Sequence, residues 1–187
     1  MAAALGDGLI LKHAFDRAAA WHAAQKRKYP GADVPYVSHL AGVAAILSRH
    51  GFGEEVVAAG ALHDSMEDAG VSYDELDRVF GTRVAELVRH VSEPDKSLSW
   101  EQRKAAYLEH FKVKPWEAQA ITLADKIDNF RSIALCARLY GDPWAMFKRG
   151  RAQQMARFEA LLEATRALAP HPLIEEYEQA LAALRGI

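Results

Sequence analysis

Apolar residues along this chain recur at intervals of three and four, the period of an α-helix, and seldom alternate as strand residues do. Leu11, Phe15, Ala18 and His22 share one such face, with Trp21 and Gln25 beside it. They predict a first helix ending near Lys26, before the turn signal Tyr29-Pro30-Gly31. The stretch through Val34-Pro35-Tyr36 reads as an extended loop. Leu40, Val43, Ala44 and Leu47 then predict a second helix from about Ser38 to His50, ended by Gly51-Phe52-Gly53. A third helix is expected from Glu54 to about Asp68. It is apolar on every side up to Leu62, the pattern of a rod buried at the centre of a bundle.

Capping residues divide the rest. Ser72-Tyr73-Asp74-Glu75 is a capping box for a short helix that Gly81 closes, and Thr82 to Val91 follows as another. Ser92 to Leu98, around Pro94, reads as a polar loop. Ser99-Trp100-Glu101-Gln102 is a second capping box, opening a helix to about Val113. Pro115 starts the next helix, which passes through Asp125 towards Cys136. Two more are expected, from about Pro143 to Leu168 and from Pro172 to Leu184. The predicted fold class is all-α, a single-domain bundle of about eight to ten helices spanning residues 1–187.

Composition narrows the function classes. With 187 residues the chain can bury roughly 70% of its unfolded surface, so neither a disulfide nor a metal is needed merely to fold. The 23 basic and 25 acidic side chains leave a net charge of −2, with no massed basic face, which argues against nucleic acid as a partner. A lone Cys136, no secretory leader pattern and no long uncharged apolar run point to a cytoplasmic protein without a membrane span.

The chemistry concentrates in Ala61-Leu62-His63-Asp64-Ser65-Met66-Glu67-Asp68. On a continuous helix His63 would lie over Glu67, and Asp64 over Asp68. Three carboxylates within five residues repel one another unless a cation or basic groups neutralise them. His39, at the start of the second helix, is placed to reach across a bundle. Asp125 sits among Ile121, Leu123, Ala124 and Ile127, where a carboxylate must be ion-paired or bound to a metal. Asn129, one turn on, shares its face.

This ordered series resembles the HD-domain metal-dependent phosphohydrolases, and within them the hydrolase domain of the RelA/SpoT alarmone enzymes in its small stand-alone form. The resemblance rests on His22-Ala23-Ala24-Gln25-Lys26-Arg27-Lys28, Pro35-Tyr36-Val37-Ser38-His39, the His63-Asp64 segment, Phe80-Gly81-Thr82-Arg83-Val84 and Leu123-Ala124-Asp125-Lys126-Ile127-Asp128-Asn129-Phe130-Arg131. It covers about residues 10 to 135. It implies an HD-type bundle holding one divalent cation, usually Mn²⁺, on His39, His63, Asp64 and Asp125. Glu67 and Asp68 are then left for proton transfer. The implied substrate is a ppGpp-like nucleotide, with Arg27 against the base and Lys28, Lys126, Asn129 and Lys148 on ribose and phosphates. His22 is expected to be structural. The implied reaction releases the 3′-diphosphate of (p)ppGpp or (p)ppApp. A different phosphorylated nucleotide such as NADPH, and a non-catalytic alarmone sensor, are the competing readings.

Departures from the family pattern bear on the base pocket rather than the metal. Leu40 replaces the usual proline after the ligand histidine, and aromatic residues expected around Ala152 to Phe158 are mostly absent. With no synthetase-like segment in these residues, a bifunctional enzyme is not expected.

Overall fold

The structure, a computed structural model, describes residues 8–92 and 100–187. Among these residues the fold is helical throughout: α1 (Leu9–Trp21), α2 (Val37–Arg49), α3 (Glu54–Leu62), α4 (Ser65–Asp68), α5 (Tyr73–Phe80), α6 (Thr82–Val91), α7 (Trp100–Val113), α8 (Trp116–Leu139), α9 (Gly150–Thr165) and α10 (Pro172–Leu184). A 3₁₀ turn, Pro143–Met146, precedes α9. No helix among the described residues is long and apolar enough to cross a membrane.

Two helices organise the bundle. Every residue of α3 from Val56 to Leu62 is buried, and α1, α2, α6 and α8 pack around it. Small side chains permit the close approach. A Cβ added at Gly60 would stand 2.4 Å from the Leu47 side chain of α2. The 24-residue α8 is the second axis, lying against α2, α3, α6 and α10. Its outer half is fixed by Phe130, which meets Phe158 and Tyr177 edge-on, and the Tyr177 hydroxyl donates to the Phe158 carbonyl at 2.9 Å. A carboxylate on α8 and an imidazole on α2 are thereby brought side by side near the end of α3.

Several sequence boundaries hold. Ser72 accepts from the Glu75 amide at 3.1 Å, and Gly81 turns the chain with a φ of 87°. The capping residue Ser99 and the loop around Pro94 lie outside the described residues. Three boundaries differ. The first helix stops at Trp21 rather than near Lys26, because the backbone of residues 25–27 pairs with that of 34–36. Arg27 N donates to Val34 O at 2.8 Å and Tyr36 N to Gln25 O at 2.9 Å, and Gly31 supplies the left-handed turn between them. The third helix ends at Leu62 and restarts at Ser65. The His63 imidazole takes the Gly60 carbonyl at 2.8 Å, the group a continuing helix would offer to the amide of Asp64. His63 and Glu67, and Asp64 and Asp68, therefore do not share one helix face. The segment from Pro143 to Leu168 is divided, because Asp142 caps a separate turn at the Trp144 amide and Phe147 is extended.

Lys114, between α7 and α8, is only 6% exposed. Its ammonium donates to Thr122 Oγ1 at 2.6 Å and lies over the rings of Tyr107 and Phe111. Burial pushes this amine down to about 7, with repulsion from Lys126 adding to the shift and Asp125 opposing it. In the unfolded chain a lysine titrates near ~10.4. Between those values the unfolded state binds more protons, so stability rises with pH across the window, and the full cost is present below pH 7. Lys114→Met removes that cost. It should stabilise the fold at pH 7 by about 4 kcal/mol, and the gain should shrink towards pH 10. Thermal unfolding at both pH values checks this. An equal shift at both, or a loss at pH 7, contradicts it.

Candidate metal centre and the cavities beside it

Three of the four residues expected to hold a cation bring ligand atoms together, and Asp64 lies beside them. His39, in the first turn of α2, places Nε2 3.2 Å from Asp125 Oδ1 and 3.8 Å from Asp64 Oδ2. His63 and Asp64 occupy the break between α3 and α4, which turns both side chains towards α8. His63 Nε2 is 3.0 Å from Asp64 Oδ2 and 3.8 Å from Asp125 Oδ1. Ligand atoms of His39, His63 and Asp125 all lie within 4.8 Å of one another. Asp64 closes the fourth side, and its Oδ2 also accepts from the Tyr36 hydroxyl at 2.6 Å.

Both imidazoles are aimed from behind. His39 Nδ1 is 2.6 Å from Asp128 Oδ2, and His63 Nδ1 is 2.8 Å from the Gly60 carbonyl. With Nδ1–H donated outward, each ring presents the Nε2 lone pair to the centre. Nε2 of His63 is buried and makes no hydrogen bond of acceptable geometry. Burial alone lowers the His63 pKa, but Asp64 more than reverses this and pushes it up to about 9. Burial likewise raises the Asp64 carboxyl, and the His63 charge overrides it, holding it well below the carboxylate range. Asp125 is depressed too, since Lys126 and the two imidazoles outweigh its burial. The cluster thus draws protons into the space a cation would fill. Two imidazole nitrogens and the Asp125 carboxylate, with Asp64 beside them and one nitrogen buried without a hydrogen bond, fit a divalent ion.

Two cavities flank this centre. The first, about 220 Å³, is lined by Arg27, Lys28, Tyr29, Asn129, Met146 and Phe147, with Asp68 at its inner end. Arg27 donates to Asn129 Oδ1 at 3.0 Å and Ser132 Oγ at 2.9 Å, and its guanidinium lies 5.8 Å from the Tyr29 ring centre. Asn129 in turn donates to Asp125 Oδ1 at 2.5 Å. The second cavity, about 160 Å³, is bounded by His63, Asp64, Glu67, Tyr107, Asp125, Lys126 and Arg157. Lys126 donates to Asp125 Oδ2 at 2.5 Å, and Asp125 raises its pKa against the effect of burial. The adjacent Glu67 and Asp68 therefore front different spaces. Lys148 is exposed and lines neither cavity. Arg149 pairs with Glu101 at 2.9 Å, and Arg151 donates to the Ile187 carbonyl at 2.7 Å.

Site residues beyond the sequence reading are Tyr36, Gln25, Asp128, Tyr107 and Arg157. Gln25 Nε2 donates to Asp68 Oδ2 at 2.7 Å, while His22 Nδ1 contacts Gln25 Oε1 at 2.6 Å. The ring of buried His22 packs tilted against that of Tyr36. Through Gln25 it is linked to the Asp68 carboxylate. Asp128 carried a usable signal, standing three residues after Asp125 on a buried helix. Tyr107 and Arg157 carried none, since their helices meet the site only through tertiary packing.

Asp128 makes a direct test of the centre. Removing a carboxylate that orients a ligand histidine costs 10–100-fold in metal affinity. Asp128→Ala should weaken Mn²⁺ binding by about that factor. Gly42→Ala should act the same way, because its Cβ would stand 2.0 Å from Asp128 Oδ1. Calorimetric titration of the folded variants reads the effect, and wild-type affinity in both would refute the orienting role.

The comparisons with known proteins agree with this geometry. The HD domain family model matches residues 14–142. A guanosine-3′,5′-bis(diphosphate) 3′-pyrophosphohydrolase, MESH1, of Danio rerio is 38% identical over 129 residues, covering 68% of this chain and 71% of that protein. Its Homo sapiens counterpart is 37% identical over 128 residues, 67% and 70% of the two chains. Among solved structures, a metazoan ortholog of SpoT that hydrolyses ppGpp superposes with a TM-score of 0.82 at 30% identity, covering 98% of this chain and 99% of that one. Lmo0812 of Listeria monocytogenes EGD-e superposes at 0.73 with 36% identity, covering 80% and 99%. The chain belongs to the HD-domain family and is an enzyme of its pyrophosphohydrolase branch.

Proposed function

We propose that this protein hydrolyses (p)ppGpp, releasing the 3′-diphosphate as pyrophosphate and leaving GDP or GTP. The observation that carries the reading is the meeting of His39, His63 and Asp125, with Asp64 beside the two imidazoles, between two cavities lined by Glu67 and Asp68. The donor set, with two imidazoles and no thiolate, suits Mn²⁺. When bound, the ion supplies charge that polarises a phosphoryl oxygen and acidifies water.

The chain's own groups account for the rest. The reaction forms a bond from a water oxygen to the phosphorus on the ribose 3′ oxygen and breaks the bond from that phosphorus to the 3′ oxygen. One proton leaves the water, and one must reach the departing oxygen. Glu67 and Asp68, on either side of the metal centre, are the carboxyls that carry these transfers. Arg27 is held flat by Asn129 and Ser132, so its guanidinium offers a stacking face for a purine. Lys28 and Asn129 line the same cavity for ribose and phosphate, and Lys126 faces the reacting diphosphate. Lys148, exposed beside Phe147, is the cation assigned to the 5′-phosphates outside the rim.

The first cavity grips by Arg27, Tyr29, Met146 and Phe147, surfaces that stack on either purine. This supports (p)ppApp as a second substrate. Buried, unpaired Cys136 and the absence of a membrane-spanning helix among the described residues suit the cytoplasm.

Purified protein with Mn²⁺ and either ppGpp or ppApp should yield pyrophosphate, and a chelator should abolish the activity. Glu67→Ala should lower kcat by roughly 10²–10⁴-fold with substrate still bound. Absence of pyrophosphate from both compounds at full metal occupancy would overturn the proposal. Turnover of NADPH alone would move the substrate assignment.

A further inference from the structure

The Met146–Phe147 wall of the first cavity belongs to no α-helix. It hangs between Gly141 and Gly150, whose φ values of 100° and 67° only glycine adopts without strain. Inside that segment Asp142 caps the Trp144 amide at 2.9 Å, and Phe147 N donates to the Trp144 carbonyl at 3.0 Å. Both bonds run through Trp144, which is buried and packs its ring against that of Phe147, 6.1 Å between centres. The wall therefore follows Trp144.

Trp144 is anchored in turn from the far end of α10. The last carbonyls of a helix have no partner within it. Arg151, in the first turn of α9, donates through Nε to the Ile187 carbonyl at 2.7 Å and through Nη2 to the Arg185 carbonyl at 2.8 Å. The planar fork of a guanidinium spans two carbonyls in this way, and a lysine ammonium does not. The indole Nε1 of Trp144 reaches the same Ile187 carbonyl at 3.3 Å, and the Arg151 guanidinium lies 5.8 Å from the indole ring centre. One carbonyl oxygen, with a lone pair for each donor, thus joins the wall, α9 and α10. Arg185 adds an ion pair to Glu159 of α9 at 3.1 Å. Buried Leu173, Tyr177, Leu181 and Leu184 fix α10 independently, so the latch closes on a firm post.

We infer that Arg151 and Trp144 are positioning residues for nucleoside recognition: they latch the Met146–Phe147 wall to the end of α10 and set how tightly the first cavity closes on its ligand. Neither side chain lines that cavity, so both act through the wall and not by contact. The inference rests on the proposed nucleotide hydrolysis and adds to it the residues that hold the base side of the site. His39, His63, Asp64 and Asp125 stand on other elements, α2, α8 and the break after α3. A loosened latch therefore weakens binding and leaves the chemical step alone.

Steady-state kinetics in Mn²⁺-saturated protein read this split. Arg151→Ala should raise KM for ppGpp about fivefold, the loss of exposed hydrogen bonds, with kcat within about twofold of wild type. Trp144→Phe, which keeps a ring and loses the indole N–H, should raise KM by a smaller factor. Arg151→Lys should recover only part of the loss, and Mn²⁺ affinity should be unchanged in all three. Wild-type KM in Arg151→Ala, full recovery by lysine, or a parallel fall in kcat and Mn²⁺ affinity would overturn the inference. An NMR spectrum of protein with labelled methionine methyls needs no substrate. The Met146 signal should move or broaden in Arg151→Ala while that of Met66, on α4, stays in place. If the wild type does not hydrolyse ppGpp, the functional proposal falls, and the methyl spectrum decides the latch on its own: a changed Met146 signal supports it and an unchanged one refutes it.

Discussion

The structure turns on a buried concentration of like charge. Asp64 and Asp125 both stand against the same two imidazoles, each only partly exposed, with Glu67 lining the adjoining cavity. A protein interior does not tolerate such a group of carboxylates unless positive charge enters it. Protons and Lys126 supply that charge in the residues as they stand, which is why His63 is pushed up and Asp64 and Asp125 are pushed down. A divalent cation would supply it more completely, and it would also give the buried Nε2 of His63 a partner. The helices around this point serve as a rigid frame for an arrangement that would otherwise spring apart.

That frame explains local features with no obvious purpose in sequence. The interruption of α3 after Leu62 turns His63 and Asp64 together towards α8, as an unbroken helix would not. Gly42 leaves room for the Asp128 carboxylate that aims His39, and Gly60 both lets α2 approach and lends its carbonyl to His63. The hairpin-like pairing of residues 25–27 with 34–36 carries Arg27 over α8, where Asn129 and Ser132 fix it. The proposed metal centre and the first cavity therefore share one helix face, with Asp125, Asn129 and Ser132 following one another along α8.

Much of this was legible in the sequence for a physical reason. Helix positions followed from the three- and four-residue spacing, and the caps at Ser72 and Gly81 came from side-chain chemistry that acts locally. The four proposed ligands stood out because ionisable residues in apolar surroundings need a partner. What escaped was set by competition between distant parts. The Gly60 carbonyl could have continued α3, and only the fold shows that the His63 ring takes it. Met146 and Phe147 line the cavity because an expected helix gave way to a capped turn at Asp142. Arg157, Tyr107 and Lys114 reached the site by packing between helices far apart in sequence, and no local pattern marks that. Lys148, marked by its charge, lies outside both cavities as an exposed side chain.

The central claim is that one divalent cation sits between the two cavities, held by His39, His63, Asp64 and Asp125. Anomalous diffraction at the manganese edge, from crystals grown with Mn²⁺, tests it most directly. The account predicts a single strong peak within bonding distance of Nε2 of both histidines and of a carboxylate oxygen from each aspartate. A peak elsewhere, or an empty centre in metal-saturated crystals, would contradict it.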